Sequence, residues 1–400
     1  MPRFDDIRPY RDDEVNEIIQ QLIRKDDFLS LIGRFRAEWL HRLAPWLVRF
    51  WIKGYLRRTF GQVRSVDELQ ERLEPYVRRV LASTTQSVSW SGLEHLDPSQ
   101  SYLFMSNHRD IVLDPALVNY ALYREGLHTC RIAIGDNLVQ NPMVADLMRL
   151  NKSFLVRRNL SNPREMRNAF LTLSSYIRES IAEGHSVWMA QREGRAKDGI
   201  DKTDPAIIKM LHMSHKRDKV SLGDAVKELR IVPVTLSYEF DPCDAEKAGE
   251  LEERERTGEY VKRENEDIES IVKGITGLKG RIHIAFGAPL ADGFESAGEV
   301  ASALDQRILE QTRFYPVSYA ATEKLVSRGV LDQLPEGLTD VLPPREERTS
   351  AHARLDQRLQ PLEPALHRWV LGIYANPLLR RYSAVPRELV NQELDDAEQG

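Results

Sequence analysis

The sequence has few cysteines, little net charge and no long apolar run, and each shortage excludes a class of protein. Its 400 residues include two cysteines, Cys130 and Cys243, which are too few for a disulfide framework and lack metal-ligand spacing. A net charge of −5 implies no nucleic-acid partner. No uncharged apolar run reaches the length of about 18 residues that a membrane span needs. The charged start, MPRFDDIRPYRDDE, has no signal-peptide core, so we expect a cytoplasmic protein.

The chain exceeds one ordinary core, and its pattern divides it into three regions. Residues 87–290 alternate short apolar strands with helices, which predicts an α/β domain: a mixed sheet flanked by helices. Helical additions are expected on both sides, over residues 1–86 and 291–400. The predicted strands are 88–93, 102–105, 130–134, 153–156, 186–190, 230–238 and 281–286.

The N-terminal region is predicted to be helical and partly basic. Apolar residues at positions 15, 18, 19 and 22 follow helical spacing, which predicts one amphipathic helix. Residues 28–60 hold three of the six tryptophans and seven basic residues against one acid, with an interruption at Pro45. This pattern fits a segment that binds at the membrane interface. It fits equally well two helices that pack their apolar side on the domain and leave their arginines in water.

The most informative stretch is SNHRDIVLDP, from Ser106 to Pro115. It joins a short apolar strand to a predicted helix, and Asp114 before Pro115 marks the helix start. His108 therefore lies on a strand-to-helix turn, a few residues before a carboxylate. A neutral imidazole that a carboxylate orients can accept a hydroxyl proton near pH 7. This turn is the candidate site of general-base chemistry.

Two later segments place charged side chains where strands end. The strand FLV is followed by Arg157 and Arg158, and guanidinium groups can bind two phosphate oxygens at once. The strand SVWMA runs into the turn QREGRAKDG. In this turn Gly194 allows close backbone approach to a ligand, while Arg195 and Lys197 supply positive charge.

A third segment, IVPVTL over residues 231–236, is an apolar strand with Pro233 inside it. Because proline cannot donate to a sheet ladder, this strand is expected at a sheet edge or with a bulge. Together with the turn at His108, the three segments resemble the motifs of the glycerol-phosphate and lysophosphatidate acyltransferases, in the same order. The resemblance covers about residues 87–286.

The resemblance implies a role for each of these groups. His108 and Asp114 form the catalytic pair, with the histidine as general base and the aspartate orienting it. The residues implied to bind the acceptor are Arg157, Arg158, Glu193, Gly194, Arg195 and Lys197.

Two spacings differ from the usual pattern of this family. Five residues separate His108 from Asp114, where the family has four, so Asp110 is an alternative partner for the imidazole. We favour Asp114, because a helix N-cap is held rigidly. Arg195 follows Gly194 directly, where the family has one residue between them.

The resemblance also implies the substrates. A fatty acyl group moves from acyl-CoA or acyl carrier protein to a hydroxyl of a glycerol-phosphate or lysophospholipid acceptor, at the inner face of the cytoplasmic membrane. No metal is implied, and no cofactor besides the acyl thioester co-substrate. Lyso-aminolipid acceptors also stay open. The alternative is a non-catalytic lipid-binding or membrane-associated protein on the same fold, and the altered spacings favour it.

Three other features carry less information. The mixed charges of residues 246–266 predict a solvated helical insertion. His212 and His215 lie three residues apart on a predicted helix, but no third metal ligand accompanies them, so we interpret them as structural or exposed. Residues 351–374 predict a long helix broken near Pro361 and Pro364. Its apolar run at residues 369–374 could contact lipid or cap the domain, and we favour capping.

Overall fold

A computed structural model describes residues 4–33, 44–139, 141–157, 160–263 and 265–382. It confirms the α/β class, the mixed sheet flanked by helices, and the helical additions at both ends. The strands are β1 (Thr85–Ser91), β2 (Leu103–Ser106), β3 (Arg131–Gly135), β4 (Ser153–Val156), β5 (Val187–Ala190), β6 (Ile231–Tyr238) and β7 (Gly280–Phe286).

The helices alternate with these strands and then follow them. Those with both ends described are α1 (Asp12–Arg24), α2 (Pro45–Phe60), α3 (Val66–Thr84), α4 (Leu113–Arg124), α5 (Pro142–Leu150), α6 (Pro163–Ala182), α7 (Pro205–Arg217), α8 (Leu222–Leu229), α9 (Asp244–Thr257), α10 (Glu266–Thr276), α11 (Ala297–Gln311), α12 (Pro316–Ser327), α13 (Arg345–Leu359) and α14 (Pro364–Tyr382).

The chain forms two compact units, and each unit is built from separate stretches of sequence. The smaller unit comprises Met1–Val80 and Thr129–Trp188, and the larger comprises Leu81–His128 and Met189–Gly400. These boundaries cross the three predicted regions rather than follow them. The division at residues 87 and 290 stays a prediction.

The larger unit contains a mixed sheet with strand order β1-β7-β6-β2. Strand β1 runs parallel to β7, β7 antiparallel to β6, and β6 parallel to β2. The register of the last pair joins Leu103 to Ile231 and Ser106 to Val234. Because β2 and β6 are parallel and in register, the residues that follow them come out at the same edge of the sheet.

The proline strand is not an edge strand, so that prediction was wrong. β6 lies between β7 and β2, with Pro233 opposite Met105 of β2. Its pairing with β7 begins one residue later, at Val234 opposite Phe286. The missing N–H of Pro233 therefore falls outside the β7 ladder, which is how a proline fits inside this strand.

In the smaller unit, β3 pairs in parallel with β4 and with the start of β5. The predicted amphipathic helix is confirmed as α1, which buries the residues at positions 15, 19, 22 and 23. Helix α2 begins with Pro45 as its first residue and contributes Val48, Ile52 and Leu56 to the same apolar cluster. Residues 34–43, with Trp39, Arg34, Arg36 and Arg42 of the predicted segment, lie outside the described residues.

The C-terminal helices form an apolar core with the segment after β6. Val317 of α12, Leu355 of α13 and Val370 of α14 belong to one buried cluster that also contains Phe240. The predicted break near Pro361 and Pro364 is confirmed, because α13 ends at Leu359 and α14 begins at Pro364.

The charged stretch at residues 246–266 is not simply solvated, which corrects the prediction. In α9, Lys247 is 1% exposed and Glu250 is 6% exposed. Both find buried partners of opposite charge, as described below. Among the described helices, none is both long enough and apolar enough to cross a bilayer.

We expect Phe104→Ala to lower the free energy of unfolding of this protein by about 3–5 kcal/mol. Phe104 of β2 is 1% exposed, and its ring packs edge-on against Phe286 of β7 at 5.7 Å between centroids. Urea denaturation measures the change. Tyr123→Ala, at an exposed position of the same unit, is the control and should cost about 1 kcal/mol or less. Equal losses in the two variants would contradict the assignment of Phe104 to the core.

Candidate active site

The turn after β2 is fixed to the neighbouring strand by the amide side chain of Asn107. Its Oδ1 accepts the backbone N–H of Leu236 at 2.8 Å, and its Nδ2 donates to the carbonyl of Leu236 at 3.0 Å. The side chain thus pairs with β6 as another strand residue would, although the backbone is already turning away. Nδ2 also donates to Asp201 at 3.2 Å. An amide is the one short side chain that can donate and accept in this way.

The next residue, His108, faces Asp114. Its Nδ1 lies 2.8 Å from Asp114 Oδ2, and the same oxygen accepts the backbone N–H groups of Arg109 at 2.6 Å and Asp110 at 2.9 Å. The Asp114 side chain is fully buried, whereas the imidazole is 15% exposed. The longer His-to-Asp spacing therefore still brings this carboxylate to the ring, because the turn at residues 109–112 wraps around it.

Asp114 is not the helix N-cap that the sequence predicts. Helix α4 begins at Leu113, so Asp114 is its second residue. The capping contacts come instead from Asp110, whose Oδ1 accepts the backbone N–H groups of Val112 at 3.0 Å and Leu113 at 2.8 Å. The two carboxylates thus have different roles: Asp110 accepts backbone N–H groups at the start of α4, and Asp114 contacts His108.

Charged groups that the sequence analysis missed hold the turn from other sides. Arg109 donates to Asp201 Oδ2 at 2.6 Å and to the carbonyl of Gly199 at 3.2 Å. Lys247 of α9 donates to the Arg109 carbonyl at 2.8 Å and forms an ion pair with Asp241. The only sequence signal for these residues is a charge in a stretch that looks solvated, so their role becomes visible in three dimensions alone.

Burial shifts the acidity of the carboxyl groups around the turn. It raises the pKa of Asp110, and the nearby charge of Asp114 raises it further. Burial also raises the pKa of Asp201, although Arg109 and Asn107 act in the opposite direction. Burial would raise the pKa of Asp241 as well, but the charge and hydrogen bond of Lys247 outweigh it and lower that pKa.

The loop after β5 returns to the turn and lies along it. The N–H of Gln191 donates to the carbonyl of Ser106, and the N–H of Ala196 donates to the carbonyl of His108, both at 2.9 Å. Between these contacts, Glu193 and Gly194 are exposed. Gly194 has φ +72, and no atom of the described residues lies within 4 Å of where a Cβ would be. The loop therefore has an open backbone surface beside the histidine turn.

Arg195 and Lys197 of this loop point into the protein. The Arg195 guanidinium is buried, with Nη2 3.4 Å from Ser270 Oγ, while Nη1 has no hydrogen-bond partner among the described residues. Lys197 forms an ion pair with Glu250 of α9. Burial lowers the pKa of Lys197, and the charge of Arg195 contributes to the shift. These contacts anchor the loop on α9 and α10.

The arginine segment lies in the smaller unit. Arg157 follows β4 and is about half exposed, and its Nη2 lies 2.8 Å from Asp6 Oδ2. It borders a cavity of about 290 Å³ whose apolar wall includes Ile7, Leu155 and Leu160. Arg158 lies outside the described residues. The structure thus brings together His108, Asp114 and the 193–197 loop within the larger unit, and it describes Arg157 within the smaller one.

The C-terminal helix α14 contacts the loop that follows β5. Asn376 Nδ2 donates to the carbonyl of Asp198 at 2.8 Å, and Arg380 donates to the carbonyl of Asp201. Gly199 packs directly on the backbone of Ile373. From the sequence we expect this region to cap the domain, and nothing in its composition indicates that it contacts the loop.

The two histidines of α7 have local contacts. His212 Nε2 lies 2.9 Å from the carbonyl of Val220, and His215 is fully buried. In the part of the chain that the structure describes, no three His, Cys, Asp or Glu side chains are arranged to hold a metal ion.

Parts of the chain are similar to known acyltransferases. Residues 87–237 match the family model described as Acyltransferase. A glycerol-3-phosphate acyltransferase from Pseudomonas syringae pv. syringae (strain B728a) is 28% identical over 209 residues, which is 50% of this chain and 22% of the relative. The protein of the same name from Pseudoalteromonas translucida (strain TAC 125) is 28% identical over 191 residues, or 47% and 21%. The chain thus spans about a fifth of the length of these relatives.

Among solved structures, the 1-acyl-sn-glycerophosphate (LPA) acyltransferase from Thermotoga maritima is similar at 15% identity, with a TM-score of 0.37. The similarity covers 71% of this chain and 92% of that one.

We expect Gly199→Ala to destabilise the larger unit more than Gly126→Ala does. Both glycines have positive φ, +82 and +73, but a Cβ at Gly199 would lie 2.3 Å from the backbone oxygen of Ile373, whereas at Gly126 no described atom lies within 4 Å. The control should lose about 1–2 kcal/mol of unfolding free energy from backbone strain. Gly199→Ala should lose about 1–3 kcal/mol more, because backbone cannot move aside easily. Equal values in urea denaturation would show that α14 does not press on the loop.

Proposed function

We propose that this protein is an O-acyltransferase of glycerolipid synthesis, because residues 87–237 match the Acyltransferase family model and half of the chain is similar to a glycerol-3-phosphate acyltransferase. It transfers a fatty acyl group from acyl-CoA or acyl carrier protein to a hydroxyl of a glycerol-phosphate or lysophospholipid acceptor. The observation that carries the proposal is the contact of 2.8 Å between His108 Nδ1 and the buried carboxylate of Asp114.

This contact supports Nε2 as the imidazole nitrogen that acts as the base. An ionised carboxylate only accepts hydrogen bonds, so Nδ1 of His108 carries the hydrogen that Asp114 receives. The lone pair then resides on Nε2, which is the nitrogen that takes the acceptor's proton. Asp114 stabilises the positive charge that forms on the ring, as a carboxylate does in other His-Asp pairs.

The transfer step balances without a metal or a covalent enzyme intermediate. Nε2 of His108 accepts the hydroxyl proton while the acceptor oxygen attacks the thioester carbonyl carbon and forms the new C–O bond. When the tetrahedral intermediate collapses, the C–S bond breaks, and the thiolate takes the proton from the imidazolium. Holding both substrates in line lowers the entropic part of the barrier.

We assign the acceptor's phosphate to the residues that the family resemblance implies. Arg157 supports this assignment because its guanidinium group is about half exposed and borders a cavity with an apolar wall. We propose the same role for Arg158, and for Glu193 and Gly194 through the open backbone surface of their loop. The phosphate role of Arg195 and Lys197 stays a prediction, because their described contacts support an anchoring role for the loop.

We further propose that α2 contacts the anionic surface of a membrane. One side of this helix is buried in the smaller unit, while Trp46, Phe50 and Trp51 on the other side are 66%, 72% and 77% exposed. Arg57 and Arg58 at the end of the helix are exposed as well. Exposed aromatic rings beside basic side chains are typical of interfacial helices.

His108→Ala should lower the rate of acyl transfer by about 10²- to 10⁴-fold, which is the usual contribution of a general base. The assay measures thiol release from a long-chain acyl-CoA with glycerol 3-phosphate, with lysophosphatidate or with no acceptor, and repeats the series with acyl carrier protein as donor. The exposed His95→Ala is the control and should keep full activity.

Unchanged transfer by the folded His108→Ala variant would disprove the base assignment. A folded native protein that releases no thiol with any donor and acceptor would instead favour a non-catalytic lipid-binding protein on this fold.

Replacing Trp46, Phe50 and Trp51 together with serine should weaken binding to anionic phospholipid vesicles by at least about tenfold, because three aromatic rings no longer enter the interface. Vesicle co-sedimentation measures the partition coefficient. The control replaces Leu278, which is 69% exposed elsewhere on the chain, with serine, and it should bind as the native protein does. A similar loss in both variants would show that α2 is not the contact surface.

A further inference from the structure

The hydroxyl of Tyr238 reaches the far oxygen of the carboxylate that orients His108. Tyr238 is the last residue of β6, and its hydroxyl donates to Asp114 Oδ1 at 2.8 Å. The other oxygen, Oδ2, accepts from the His108 ring and from the N–H groups of Arg109 and Asp110. Both ends of the carboxylate are thus held, one by the turn and one by β6.

We propose that Tyr238 is a positioning residue for acyl transfer, whose hydroxyl keeps Asp114 in the one orientation in which Oδ2 faces the imidazole. Rotation about the last side-chain bond of an aspartate has a broad, two-fold energy profile. Contacts on Oδ2 alone would therefore leave the carboxylate of Asp114 free to rotate. Asp114 is fully buried, and a buried oxygen without a donor is costly. Without the hydroxyl, the carboxylate therefore turns or shifts to find another donor. The proposal rests on the proposed function of His108.

The surroundings of Tyr238 favour its protonated phenol. Burial raises the pKa of Tyr238 well above its ordinary value, and the charges of Asp114 and Asp110 raise it further. The phenol is therefore protonated near neutral pH and can donate its hydrogen bond there. A change in the pH profile of a Tyr238 variant then reports on His108 and Asp114 rather than on the phenol.

The charged groups of the turn, of the segment after β6 and of α9 include Arg109, Asp110, Glu239, Asp241 and Lys247, and each has a partner of its own. Arg109 pairs with Asp201, Glu239 with Arg281, and Asp241 with Lys247. Asp110 accepts two backbone N–H groups at the start of α4. None of these described contacts involves the Tyr238 hydroxyl, so its removal changes the surroundings of Asp114 directly.

The test is Tyr238→Phe, which removes the hydroxyl and keeps the ring. We expect kcat to fall by about tenfold or more while KM for donor and acceptor changes by less than about twofold, because the hydroxyl acts through Asp114. The acidic limb of the kcat/KM profile should move to lower pH by about 0.5 unit, because a carboxylate that has turned from the ring stabilises the imidazolium less.

Tyr10→Phe is the matched control. The Tyr10 hydroxyl also donates to an aspartate, Asp146, at 2.8 Å, and it does so within the smaller unit. This variant should keep the native kcat and pH profile. A profile of Tyr238→Phe that does not move, or one that moves equally in Tyr10→Phe, overturns the positioning role.

Two further measurements separate the positioning role from a failure of the variant to fold and from a failure of the proposed function of His108. Tyr238 replaced by 3,5-difluorotyrosine keeps a hydroxyl donor on a ring of nearly the same size, so kcat should stay within about twofold of the native value. A loss as large as that of Tyr238→Phe would overturn the positioning role. NMR titration of the His108 ring, assigned through His108→Ala, follows the effect of Asp114 on the ring without turnover. A shift of the ring titration to lower pH in Tyr238→Phe, without acyl transfer by the native protein, would uphold the positioning of Asp114 and overturn the proposed function. Acyl transfer by the native protein, with no change of the His108 ring titration in Tyr238→Phe, would overturn the positioning role alone.

Discussion

The structure around the histidine turn is built to keep one negative charge inside the protein. Asp114 is fully buried, and a carboxylate in such a place is stable only when donors surround it. Four donors meet it: an imidazole, two backbone N–H groups of the turn and a tyrosine hydroxyl. They come from the turn after β2 and from the end of β6, and Asp114 itself lies in α4, so these three parts of the chain must converge. The parallel pairing of β2 with β6 provides this convergence, because it brings the ends of both strands to one edge.

Charged side chains around the histidine turn also hold it in place. The turn that contributes the N–H groups is itself held by Arg109 on Asp201 and by Lys247 on its carbonyl. Lys197 on Glu250 then fixes the loop that lies along the turn. Breaking such a buried pair is strongly destabilising, because it leaves one uncompensated charge. The ion pairs therefore act less as a source of net stability than as restraints on the position of the turn.

How much of this could be predicted from sequence depends on the distance over which each residue acts. The strand, turn and helix around His108 were predictable, because an apolar run and Pro115 are local signals. The partner of the ring was less so, since Asp110 and Asp114 are both near it in sequence and only the path of the turn decides between them. Lys247 and Asp201 were not predictable, because their partners lie far away along the chain. The prediction that Pro233 lies in an edge strand was wrong for the same reason. The residue at which the β7 ladder starts, and not the proline itself, decides where a proline fits.

The contact of α14 with the loop after β5 has a consequence for the order in which the protein matures during synthesis. Asn376 and Asp198 are separated by 178 positions, and contacts over such distances form slowly because a long loop must close first. A ribosome makes the histidine turn before the loop beside it, and both before α14. The loop gains its support only after α14 has emerged. The nascent chain therefore carries the chemical groups of the site before it can assemble the site.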